Sequence, residues 1–152
     1  MAHLSEDDLR LFVDSVTRYF RVTTQQEPHI TSAYLATQEI QAHAFNGIVS
    51  FSGSYNGHVI VSMPPKLLRE LLLLQKETDI SDSNLLDAVG EIANTLAGNA
   101  RKQFGGDLEI SSPLTLQGDM GTRARVRKRP FVITLKWNHQ NALVCVDMER
   151  LH

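Results

Sequence analysis

Residues 81–104 read SDSNLLDAVGEIANTLAGNARKQF, and the fold turns on how that stretch is arranged. A helix advances about 100° per residue, so positions three and four apart share a face. Leu85, Leu86, Val89, Ile92, Ala93, Leu96, Ala100 and Phe104 then gather on one side, with Asp87, Glu91, Asn94 and Gly98 on the opposite side. The spacing predicts an amphipathic helix over 82–104, ended by Gly105-Gly106. Its polar face is a costly one. Faces that meet only water favour Glu, Lys, Gln and Ala. Asp87, Asn94 and Gly98, with Gly90 and Asn99 nearby, are weaker helix formers, and each glycine costs about 0.5–1 kcal/mol relative to alanine. Two readings stay open on pattern alone. Either the face is solvated and its residues are indifferent, or something comes close to the helix backbone and meets Glu91 and Asn94.

Toward the N-terminus, Pro64-Pro65 stops a strand and starts a short leucine-rich helix over 66–75, because proline is tolerated in a first helical turn. Before it, Ile48, Val49 and Phe51 form one β-rich run and Val59, Ile60 and Val61 another. Ser54-Tyr55-Asn56-Gly57 between them reads as a hairpin turn centred on Asn-Gly. Residues 30–36 alternate weakly as a strand. A first helix is expected over 5–20, capped by Ser5 with Asp8 in the capping-box position.

Beyond the central stretch, 108–116 contains Pro113 and should be extended, and 118–121 is a turn. Residues 131–137 and 142–148 form a second hairpin around Asn138-His139-Gln140-Asn141. The two halves match in outline: a long helix, an extended segment, a hairpin ending in Met63 or Met148. That self-similarity suggests a duplicated unit sharing one core. The expected class is α+β, a mostly antiparallel sheet with the long helices packed on it.

Composition narrows the function. The 152 residues, 42% hydrophobic and 21% charged, fit a single domain over 1–152. A net charge of −2 gives no global field toward nucleic acid or anionic membrane. The one cysteine, Cys145, sits in an apolar run and fits a reducing compartment. The N-terminal residues lack the order of a signal peptide, and no apolar run approaches the ~18–20 residues that span a bilayer. A cytoplasmic protein is expected.

Most chemical signatures are missing. His3, His29, His43, His58, His139 and His152 are scattered, without metal-ligand spacing. There is no P-loop or dinucleotide fingerprint, and Gly53-Ser54-Tyr55-Asn56-Gly57 does not place serine as a nucleophile elbow does. Residues 123–129 hold five basic side chains in seven positions. They read as a solvated edge or as contact with an acidic partner, and no aromatic residues interleave them for nucleic acid. Glu91 and Asn94 remain. An asparagine amide cannot act as a general base, but it can orient a water molecule. Phosphoryl transfer draws mainly on such positioning.

Asp87-Ala88-Val89-Gly90-Glu91-Ile92-Ala93-Asn94, followed by Leu96, Gly98 and Asn99, resembles the D-x-x-x-E-[IL]-x-N-x-x-x-G-N signature of the CheC/CheX/FliY family of chemotaxis phosphatases. Phe51-Ser52-Gly53 with Gly57 and Val59 resembles the hairpin before that helix, and Ser112-Pro113 with Gly118 the extended segment after it. The resemblance runs from about residue 45 onward. It implies a phosphatase acting on the aspartyl phosphate of a CheY-type response regulator, with Asn94 orienting the attacking water. Glu91 would pair with a lysine of the regulator. Asp87, Gly90 and Gly98 would lie against that partner, the glycines allowing close approach. The Mg²⁺ would belong to the partner, with no cofactor held by this chain. The 5–20 helix carries no second E-x-x-N, so the chain looks more like CheX than CheC, and CheX-like proteins imply a homodimer. Thr95 departs from the methionine common in the family. A non-catalytic receiver-binding adaptor of the same fold is the alternative, and a small-ligand-binding domain a third reading.

Overall fold

The computed structural model describes residues 2–37, 40–118 and 130–151. The basic stretch 123–129 and residues 119–121 of the expected turn lie outside them. The described elements run β1 (Ala2–His3), α1 (Glu6–Thr24), β2 (His29–Leu35), β3 (Phe45–Gly53), β4 (Tyr55–Met63) and α2 (Pro65–Leu74). They continue with α3 (Asp82–Phe104), β5 (Leu108–Ile110), β6 (Leu114–Gln117), β7 (Phe131–Trp137) and β8 (Gln140–Arg150).

The strands form one antiparallel sheet in the order β2-β7-β8-β4-β3-β5, with β1 on β8 and β6 also on β3. The duplicated unit explains this order. Hairpin β3–β4 and hairpin β7–β8 meet through β4 and β8 at the centre. Each half then lends its extended segment to the other: β2 pairs with β7, while β5 and β6 share the edge of β3. The α+β architecture expected from the sequence is what the chain adopts.

All three helices cover one face. Alternate strand residues, among them Val49, Val59, Val61, Ile133, Val144 and Val146, share a core with Phe12, Phe20, Leu67, Leu71, Leu85, Val89, Ile92 and Leu96. On the other face, Ile48, Ile60, Val132, Leu143 and Cys145 form a smaller cluster. Both faces of β8 are therefore buried, which accounts for its nearly continuous apolar run.

Local chemistry sets the helix ends. Ser5 Oγ accepts from Asp8 N (3.1 Å) and Asp8 Oδ2 from Ser5 N (3.1 Å), the capping box anticipated for α1. The helix runs on past the expected end at 20, because Gln25 takes the left-handed conformation and donates its N–H to Arg21 O. Ser81 caps α3 through Asn84 N (3.4 Å), and Gly105, at φ 108°, ends it.

The first hairpin corrects the sequence reading. Its turn lies at Ser54, with Gly53 at φ 88°, and not at Asn56-Gly57. Asn56 and Gly57 are strand residues of β4, opposite Glu149 and Met148 of β8. Gly57, at φ 146°, is there because a β-carbon would collide with the Asp147 carbonyl. The second hairpin is also tighter than 138–141. Asn138 and His139 alone form the turn, with φ of 49° and 67°, and Gln140 already pairs with Trp137.

Candidate active site

The polar stripe of α3 stands on a well-anchored helix. Leu85, Val89, Ile92, Ala93, Leu96 and Ala100 are buried against the sheet and the other helices. Each large aliphatic side chain so buried contributes about 1.5–3 kcal/mol relative to exposure. The opposite side carries Asp87, Glu91, Asn94 and Thr95, all exposed. Glu91 and Asn94 are about 60° apart around the axis and about 4.5 Å apart along it, so their side chains leave the helix as neighbours. A β-carbon on Gly98 would meet nothing within 4 Å, so that turn of the stripe is bare backbone open to an approaching surface.

Among the described residues, no ion pair neutralises the stripe. Arg21 and Glu27 form an ion pair (2.9 Å), on α1 and the loop after it, away from the stripe. Among the described residues, Asp87 and Glu91, one turn apart, present two carboxylates with no cation on them, and the Asn94 amide is not engaged by another side chain. Thr95 differs. Its hydroxyl donates back to Glu91 O (2.9 Å), which turns the polar atom of this family departure onto the helix backbone. Among the described residues, no three His, Cys, Asp or Glu side chains gather as a metal site.

Two residues near the stripe escaped the sequence reading, and one moves out of it. Tyr19 of α1 is half-buried, and burial raises its phenol above the ordinary value of 10.0. The charge of Glu91 raises it further, whereas hydrogen bonding to Thr23 and Gln75 lowers it. The phenol therefore stays protonated at neutral pH beside the Glu91 carboxylate. Tyr19 reads from sequence as one more apolar-face residue of the first helix, and its polar tip was the available clue.

Gly47 of β3 is the other. A β-carbon there would stand 2.5 Å from Val89 O and 3.0 Å from Gly90 Cα. Gly90 itself is buried. Its missing side chain makes room for Thr115 Cγ2 (2.8 Å from the β-carbon position) and Pro113 Cβ (3.4 Å). The close approach seen at Gly90 is internal, between α3 and the β5–β6 segment. The 100° offset of this glycine from Glu91 left its direction ambiguous in the sequence.

Comparison with known proteins gives the family and the fold. The family model for the chemotaxis phosphatase CheX matches residues 45–136, a span that contains the whole of α3. The chain belongs to the CheX family. Solved structures agree on the fold. A CheC-like superfamily protein from Shewanella sp. PV-4 superposes with a TM-score of 0.80 at 17% identity, over 96% of this chain and 99% of that one. CheX from Desulfovibrio desulfuricans gives 0.78 at 22% identity, over 94% and 99%. The Borrelia burgdorferi CheX–CheY–BeF₃–Mg²⁺ complex gives 0.75 at 18% identity, over 96% and 100%. No curated protein sequence matches the chain. No helix among the described residues is long and apolar enough to cross a membrane.

Proposed function

We propose that this CheX-family chain hydrolyses the aspartyl phosphate of a CheY-type receiver domain. The observation that carries this reading is the side-by-side exposure of Glu91 and Asn94 on a stripe whose next turn, at Gly98, is bare. The complex of a structural neighbour from Borrelia burgdorferi with CheY, BeF₃ and Mg²⁺ supports the choice of partner.

In this mechanism Asn94 enters the receiver's active site and orients a water through its side-chain amide. The water oxygen attacks phosphorus and the bond from phosphorus to the aspartyl oxygen breaks, releasing inorganic phosphate and a free carboxylate. The proton of the attacking water passes to the phosphate or to bulk solvent, since an amide cannot accept it. Mg²⁺ held by the receiver balances charge on the phosphoryl oxygens. Glu91 pairs with a lysine of the receiver and sets the register of docking, while Asp87 adds negative charge one turn away. Gly98 lets the receiver lie against the helix. Such a partner places the chain in the cytoplasm.

A homodimer is part of the proposal. Among the described residues β2 pairs with β7 alone, so one edge of the sheet lacks a partner strand. Sedimentation equilibrium at micromolar protein would show a mass of twice 17.0 kDa, and a monomer there would refute this part. For the catalytic part, ³²P-labelled receivers should lose phosphate faster with the chain present. Tight receiver binding without any acceleration would instead favour the adaptor reading.

A further inference from the structure

Asp87, Gly90 and Asn94 lie three and four residues apart and so share one side of α3. Over Gly90 sits the segment linking β5 to β6. A β-carbon on Gly90 would stand 2.8 Å from Thr115 Cγ2 and 3.4 Å from Pro113 Cβ. Pro113 is nevertheless exposed. One side of its ring is packed on the helix and the other is open, one turn from Asn94.

The segment is held on both flanks. Ser111 N donates to Ser50 O (3.0 Å), and Ser50 N donates to Ser111 Oγ (2.9 Å). Thr115 stands opposite Gly47 in the β3–β6 register, and Gly47 is the residue whose backbone touches Val89 and Gly90. Two glycines therefore set the height of the proline above the helix turn that carries Glu91.

We propose that Pro113 is a docking residue for the phosphorylated receiver domain, and that Gly90 is the positioning residue that seats it. The inference rests on the receiver-docking function proposed above. A proline ring has fixed φ and no N–H to desolvate, so it offers a rigid apolar shelf beside an acidic and amide stripe. Specific interfaces combine an apolar patch with polar contacts at its margin in this way.

The test is a binding titration against CheY-type receivers from the source organism, each activated with beryllofluoride and Mg²⁺. Pro113→Ala should weaken binding roughly threefold or more while the melting temperature stays near that of wild type. Gly90→Ala should weaken it as well, and adding Thr115→Ser, which deletes the obstructing methyl, should restore binding to within about twofold of wild type. Wild-type binding that is unchanged in Pro113→Ala and Gly90→Ala would overturn the proposal and leave the docking function standing. Failure of Thr115→Ser to restore binding would overturn the role of Gly90. If wild type binds no receiver, the docking function falls and this inference with it.

Discussion

The backbone of Gly47 in β3 touches the backbone of Val89 in α3, so closely that a β-carbon on Gly47 would lie 2.5 Å from Val89 O. This contact fixes how deeply the site helix sits on the sheet, and both partners at the point of contact are backbone, which cannot rotate away. Gly47→Ala should therefore cost about 1–3 kcal/mol, in the range of overpacking substitutions. Thermal melts should show a drop of several degrees. A melting point equal to wild type would show that the helix shifts freely.

Glu70 ties α2 to the second hairpin. Its Oε2 accepts from Asn138 Nδ2 (2.5 Å) and from Gln140 Nε2 (2.6 Å). Gln140 is buried, so removing the acceptor strands a buried amide. Glu70→Ala should cost about 1–3 kcal/mol in urea unfolding, with the proposed phosphatase activity retained because the hairpin turn is not part of the stripe. Unchanged stability would mean that water replaces the carboxylate.

Cys145 is buried, and desolvation lifts its thiol from 9.0 to about 12. The native state therefore holds this proton more tightly than the unfolded chain. The associated stability is complete below about pH 9 and is lost as pH rises to about 12, at about 1.4 kcal/mol per unit and about 4 kcal/mol in all. Tyr19, also raised by burial, adds in the same direction above its ordinary 10.0. Denaturant titrations in the alkaline range should show this slope, and Cys145→Ala should flatten it. An equal slope in the variant would contradict the assignment.

How far this was legible in the sequence differs by residue. α3 could be placed to the residue because a cap at Ser81 and a glycine at Gly105 bracket an unbroken apolar period. The helix end at Thr24 could not, since the apolar pattern stops at Phe20 while backbone hydrogen bonding continues to Gln25. Asn56-Gly57 mimicked a turn because glycine serves two needs. Here it yields to the neighbouring strand at Asp147 and supplies no hairpin corner. The exchange of β2 and β6 between halves depends on pairing across the whole chain, which local pattern does not encode. Glu91 and Asn94 were legible as an exposed pair, but the inward direction of Gly90 and the nearness of Tyr19 required the packed helices.

Reversing the charge at Glu91 tests docking. Glu91 is exposed and in no ion pair among the described residues, so Glu91→Lys should leave the melting point nearly unchanged. It should weaken receiver binding by about tenfold or more, and the remaining binding should respond differently to salt, as expected when an attractive charge pair becomes repulsive. Binding as tight as wild type at low salt would exclude a lysine partner.

The most direct measurement is the time course of phosphate loss from a ³²P-labelled CheY-type receiver with catalytic amounts of wild type or Asn94→Ala. Asn94 is exposed and carries no structural hydrogen bond among the described residues, so the variant should fold and bind as wild type does. Its stimulation of phosphate loss should fall about 100-fold or more, the loss expected when an attacking water is no longer held in place. Full stimulation by Asn94→Ala would contradict water positioning by this residue, and no stimulation by wild type would contradict the phosphatase function itself.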